Sequence, residues 1–100
     1  MILYNTSFFI EKSLEQEFID FYEKHLLSLI QAEGLFEKFA MFRITTQHDP
    51  EMAGYALHLY MRNREILGEY IERIQPEFAE VLSKRFGERV LSFSTEMEQI

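Results

Sequence analysis

One hundred residues, 47% of them hydrophobic and 15% aromatic, suffice for one globular domain over residues 1–100 with a packed core. Ordering such a chain opposes folding by roughly 100–200 kcal/mol, so nearly every large apolar side chain has to be buried. Seventeen acidic residues against ten basic ones give a net charge of −7 with no basic stripe, which argues against a nucleic-acid partner, and the lack of cysteine excludes disulfides, thiolate metal ligands and nucleophilic thiols.

The first ten residues, MILYNTSFFI, carry no charge and are dense in β-branched and aromatic side chains, the signature of a buried strand that later strands can flank. Ser13-Leu14-Glu15-Gln16 has the form of a capping box and predicts a helix start. At about 100° per residue, Leu14, Phe18, Phe21, His25 and Leu29 then share one stripe, with Tyr22 and Leu26 on its shoulder. Gly34 supplies a left-handed residue after the last turn, and Leu35 covers the helix end.

Residues 36–47 read as the second strand, stopped by the turn His48-Asp49-Pro50-Glu51. Phe42 and Ile44 suit its covered face and Met41, Arg43 and Thr45 the other, although Phe39 allows the pattern to slip by one. Residues 53–61 alternate clearly, with Tyr55, Leu57, Leu59 and Met61 on one face and Ala56, His58 and Tyr60 on the other, as an interior strand requires. Asn63 can cap a second helical region whose apolar stripe runs from Ile66 to Leu82. Pro76 interrupts it and predicts a kink, or an end near Ile74 with a new helix carrying Pro76 in its first turn. Phe86-Gly87 closes the region, and residues 89–97 form a last strand whose Glu96 and Glu98 suit a charged edge.

The order βαββαβ, with right-handed crossovers, predicts an α+β ferredoxin-like sandwich: an antiparallel four-stranded sheet of order 4-1-3-2 with both helices on one face. Leu3, Phe9, Met41 and Tyr60, with Ala56 and His58, would then stand on an uncovered face. Its size reaches that at which an exposed apolar patch marks a partner. A second copy placed face to face would close a dimeric α+β barrel, so a homodimer through the open sheet face is expected.

MILYNTSFFI, GLFEKFAMFRI and KRFGERVLSF together resemble a small bacterial family described as a domain of unknown function, DUF4286, over the whole length. Tyr4 and Asn5, His25, Arg43, and Arg85-Phe86-Gly87 match the family's pattern, while Leu27 stands where that pattern has a proline. The resemblance implies the ferredoxin-like, dimeric-barrel-type fold and assigns no activity or catalytic residue.

Two groups of residues are candidate binding sites. His25, on the apolar stripe of the first helix, either faces a pocket between helix and sheet as a proton carrier or is a satisfied core histidine. Asn5, Arg43, His58 and Tyr60 could share the open sheet face, holding a carboxylate or enolate or forming a polar network that fixes dimer register. No three ligands converge for a metal, and no motif demands a cofactor. A glycine-rich phosphate loop after the first strand is missing, and the third strand lacks the basic, aromatic character of an RNA-binding sheet. Two functions stay open: a non-catalytic homodimer that binds a protein or small ligand, and a cofactor-free enzyme or ligand sensor with a pocket between helices and sheet. With no apolar run near the roughly 20 residues that span a bilayer, and no cleavable leader, a cytoplasmic protein without a membrane partner is expected.

Overall fold

In the computed structural model, residues 1–46 and 49–100 are described. The elements follow as β1 (Ile2–Glu11), α1 (Glu15–Phe21), α2 (Leu27–Glu33), β2 (Lys38–Ile44), β3 (Met52–Met61), α3 (Arg64–Glu69), α4 (Gln75–Phe86) and β4 (Val90–Glu98). The strands form one sheet in the order β2-β3-β1-β4, with every neighbouring pair antiparallel. This is the order read from the sequence, with the uncharged β1 held between β3 and β4.

Alternation along β1 divides the molecule. Ile2, Tyr4, Thr6, Phe8 and Ile10 are buried on the side that carries the helices, and Leu3, Asn5, Ser7 and Phe9 are half-buried on the other. Tyr55, Leu57, Leu59 and Met61 extend the buried side across β3 as predicted. Against it the helices place Phe18, Phe21, Leu26, Ile30, Leu67, Tyr70, Ile74 and Phe78. Phe18 is the hub of the aromatic packing, with ring centroids 5.3 Å from Phe8, 5.7 Å from Tyr55 and 6.0 Å from Phe86.

Three local expectations are corrected. The capping box does not form: Lys12–Leu14 makes a single 3-10 turn, α1 begins without a side-chain cap, and Gln16 donates to Asp20 Oδ1 at 3.1 Å instead of reaching back. Glu15, the box's third residue, is drawn to Tyr55 on the sheet, whose hydroxyl donates to it at 2.8 Å. The second correction concerns His25, which is exposed and lies off the buried stripe. A π-turn over Tyr22–Leu26 joins α1 to α2, and its wider turn inserts a residue relative to 100° spacing. Leu26 therefore takes the buried place after Phe21, and His25 rotates out to lie tilted against the Phe21 ring, with centroids 5.2 Å apart.

Third, β2 has the slipped register. Phe39, Met41 and Arg43 pair with Leu59, Leu57 and Tyr55 and so lie on the helix side, while Phe42 and Ile44 pair with Ala56 and Gly54 on the open side. Met41 and Arg43 are therefore absent from the open face. As an edge strand β2 is covered by helices only in part, so its own pattern is weak; the pairing with β3 decides its register.

Elsewhere the local chemistry behaves as read. Gly34 takes the left-handed conformation (φ 63°) after α2, and Asn63 Oδ1 accepts from the Ile66 amide at 3.0 Å. Pro76 lies in the first turn of α4, and a second π-turn, Tyr70–Ile74, joins α3 to α4 just before it. Proline has no amide to return to residue 72, which suits a widened turn there. Part of the turn expected at His48-Asp49-Pro50-Glu51, and Gln47 at the end of the expected second strand, lie outside the described residues; within the described part Asp49 Oδ1 accepts from the Glu51 amide at 2.9 Å. Glu96 and Glu98 on the outer strand β4 pair with Arg64 at 3.4 and 3.5 Å.

Candidate functional site

The open face of the sheet is a grid fixed by strand register. Reading from β2 to β4, its rows are Lys38-Tyr60-Leu3-Met97, Ala40-His58-Asn5-Thr95, Phe42-Ala56-Ser7-Phe93 and Ile44-Gly54-Phe9-Leu91. Asn5, His58 and Ser7 make its centre polar, while aromatic and aliphatic side chains form both margins. Phe93 (61% exposed), Leu91 (54%) and Phe42 (50%) are among the most exposed large apolar residues of the described chain. Phe42 lies against His58 at 5.1 Å, Phe9 against Phe93 at 6.0 Å, and the Lys38 ammonium stands 5.3 Å above the Tyr60 ring.

Asn5 sits at the middle of this grid. Its Nδ2 donates to Ser7 Oγ at 3.1 Å, and its Oδ1 is buried without a hydrogen-bond partner among the described residues. Turning the amide over transfers the orphan from oxygen to nitrogen and does not remove it. A buried amide group left unpaired costs about 1–3 kcal/mol, so this face holds an unmet demand for one hydrogen bond.

The structure thus brings together three of the residues singled out from the sequence, Asn5, His58 and Tyr60. Arg43 belongs to a different cluster on the helix side: its Nη2 donates to the Tyr55 hydroxyl at 3.2 Å and lies 3.4 Å from Glu15 Oε1. Burial, reinforced by the hydrogen bond to Glu15, raises the Tyr55 phenol above its ordinary range, and Arg43 opposes the shift. This cluster borders a cleft of about 360 Å³ walled by Phe18, Ile19, Tyr22 and Met41. His25 is on an exposed helix surface away from Asn5, His58 and Tyr60. Phe42, Ile44, Leu91, Phe93 and Met97 are the large apolar members of the open face that the sequence pattern does not place there. The alternation of Leu91, Phe93 and Met97 is the signal in the sequence that marks this side of the last strand as apolar.

Among the described residues, no group of three or more His, Cys, Asp or Glu side chains is placed to hold a metal ion, and no helix is long and apolar enough to cross a membrane.

Sheet order and the helices on one face make this a ferredoxin-like α+β protein. Its sequence matches the family described as a domain of unknown function, DUF4286, over residues 1–100, and the chain belongs to that family. No curated protein matches it by sequence. Its fold is similar to that of HapK from Hahella chejuensis, with a TM-score of 0.72 and 13% identity over 100% of this chain and 93% of that one. It is similar also to an ethyl tert-butyl ether D (EthD) family protein from Bacillus halodurans, with a TM-score of 0.68 and 13% identity over 100% of both chains. A dimeric ferredoxin-like protein from an uncultured marine organism gives a TM-score of 0.65 and 16% identity over 98% of this chain and 96% of that one. At these identities the likeness establishes the fold.

Proposed function

We propose that two copies of this chain pair open face to open face as a dimeric α+β barrel, and that the dimer is a non-catalytic module binding a protein or small ligand. The observation that carries the reading is the inverted pattern of β4: Leu91, Phe93 and Met97 face away from the molecule's own helices, while Ser92, Ser94 and Glu96 face toward them. A strand patterned in this way is stable in water once its apolar side is covered. Strands of seven to ten residues, four abreast, span roughly 450–600 Å² in projection. The side chains corrugate that surface toward the roughly 800 Å² per partner of a stable interface. Self-pairing by a two-fold axis through the grid also brings donors from the second copy to the centre, where Asn5 lacks one. That the marine ferredoxin-like relative in fold is described as dimeric supports the reading.

Light scattering after size exclusion tests it. A mass near twice the 12.0 kDa of one chain is expected, and a 12.0 kDa particle at micromolar concentration would refute the assembly.

A cofactor-free enzyme or ligand sensor is the second reading, favoured by the Arg43, Tyr55 and Glu15 cluster beside a cleft between helices and sheet. A thermal-shift series with small aromatic carboxylates tests this site, which requires a saturable stabilisation that Arg43→Gln removes.

A further inference from the structure

A second cleft between helices and sheet lies at the opposite edge, between α4 and β4. It measures about 200 Å³ and is bordered by Thr6, Ser92 and Ser94 from the sheet and by Tyr70, Gln75 and Ser83 from the helical layer. Five hydroxyl-bearing residues and one amide-bearing residue thus border an apolar floor that includes Phe78, and among the described residues no charged side chain lines the space. This arrangement follows from the inverted pattern of β4, which presents serines where a helix-covered strand would present core residues.

Two features separate the cleft from a merely solvated edge. Thr6 is buried, and its Oγ1 is paired with Ser94 Oγ at 3.1 Å, so the hydroxyl row begins inside the core. Tyr70 is only 2% exposed and lines the cleft. Tyr4, its neighbour, accepts from Gln75 Nε2 at 2.7 Å. Burial first, and the proximity of Tyr4 second, push the Tyr70 phenol upward, which keeps it a neutral group able both to donate and to accept.

We propose that the cleft between α4 and β4 binds a small neutral molecule, of about monosaccharide size, with hydroxyl or carbonyl groups along one side and an apolar face on the other. A charged ligand would lose hydration without meeting a counter-charge, which excludes carboxylates and amines. The volume lies below the roughly 300–1,000 Å³ of pockets for drug-sized ligands, which sets the upper size. Hydroxyls that donate and accept at will match a polyol or cyclic carbonyl compound, and Phe78 matches its C–H face. The inference rests on the ligand-binding part of the function proposed above and not on dimerisation, because the cleft opens on the side of β4 opposite the grid.

The test is an amide NMR titration of the full chain with myo-inositol and glucose as neutral probes and gluconate as a charged probe of similar size. At least one neutral probe should shift the Ser83, Ser92 and Ser94 resonances saturably, with gluconate at least tenfold weaker. Ser94→Val, and independently Tyr70→Phe, which removes only an oxygen, should each weaken that probe at least tenfold with the rest of the spectrum in place. No saturable shift from either neutral probe, equal binding of gluconate, or an unchanged affinity in both variants overturns the proposal. Particle mass, measured on the same samples, reports separately on the dimer, so a failed titration with a dimeric mass refutes the cleft alone.

Discussion

Asn5 and His58 face each other directly across the two central strands, and the Asn5 carboxamide is left with one buried group unsatisfied while its outer neighbours are Ser7 and Thr95. The orphan lies on the side of the sheet without helices, and no described residue pairs with it. If a second copy supplies the missing bond, Asn5→Val should weaken association by roughly 5- to 30-fold, corresponding to about 1–2 kcal/mol. Sedimentation equilibrium measures this; tighter association in the variant would mean that the amide is an uncompensated burden on the interface.

Phe93 is more than half exposed and has Phe9 as its ring neighbour, so replacing it takes little from the fold. Phe93→Glu should convert the dimer to a monomer at micromolar concentration while circular dichroism stays unchanged. The added carboxylate would have to be buried without a partner in the middle of an apolar margin. A variant that remains dimeric would exclude this face as the interface.

The π-turn of the first helical region makes opposite predictions for adjacent residues. His25→Leu should change stability by no more than about 0.5 kcal/mol, the usual range for exposed positions. Leu26→Ala should destabilise by about 2–5 kcal/mol, since Leu26 is 1% exposed within the core. Chemical denaturation at one fixed protein concentration compares the two, and a large loss in the His25 variant would contradict the rotated stripe.

Tyr70 predicts an alkaline limit. Its phenol is raised above the ordinary 10.0 by burial, so the folded state holds the proton more tightly than the unfolded state. The stabilisation is complete below about pH 10 and is lost as pH rises above it, because the unfolded chain is the first to ionise. Tyr55 and Tyr22 are shifted in the same direction, each chiefly by burial, and add to the effect. Tyr70→Phe should therefore lessen the slope of stability against pH above 10 by up to one proton. Identical slopes in urea denaturation series would show that Tyr70 does not contribute.

Those elements were legible in the sequence whose pattern is dictated by a single environment. β1 and β3 are flanked on both edges and half-covered, so their alternation fixed both their faces and their central places. Asn63 and Gly34 act through backbone groups next to them, so their roles were local facts. Pro76 likewise forced a change of helical geometry whatever packed around it.

Tertiary structure decided what depends on a neighbour. The pattern of residues 36–47 places Arg43 on the open face beside His58, but pairing of the partly covered β2 with β3 turns it to Tyr55 and Glu15. Regular 100° spacing puts His25 on the apolar stripe, but one inserted residue in the π-turn rotates it out, since that spacing holds only while the helix is regular. The two clefts lie where α1 meets β2 and where α4 meets β4, a juxtaposition of elements distant in sequence that local residue patterns do not specify. The sequence by itself determined the order of elements and the surplus of apolar surface; only the packed sheet determined which side of each edge strand carries that surplus, because an edge has one neighbour to set its register and the covering helix to set its face.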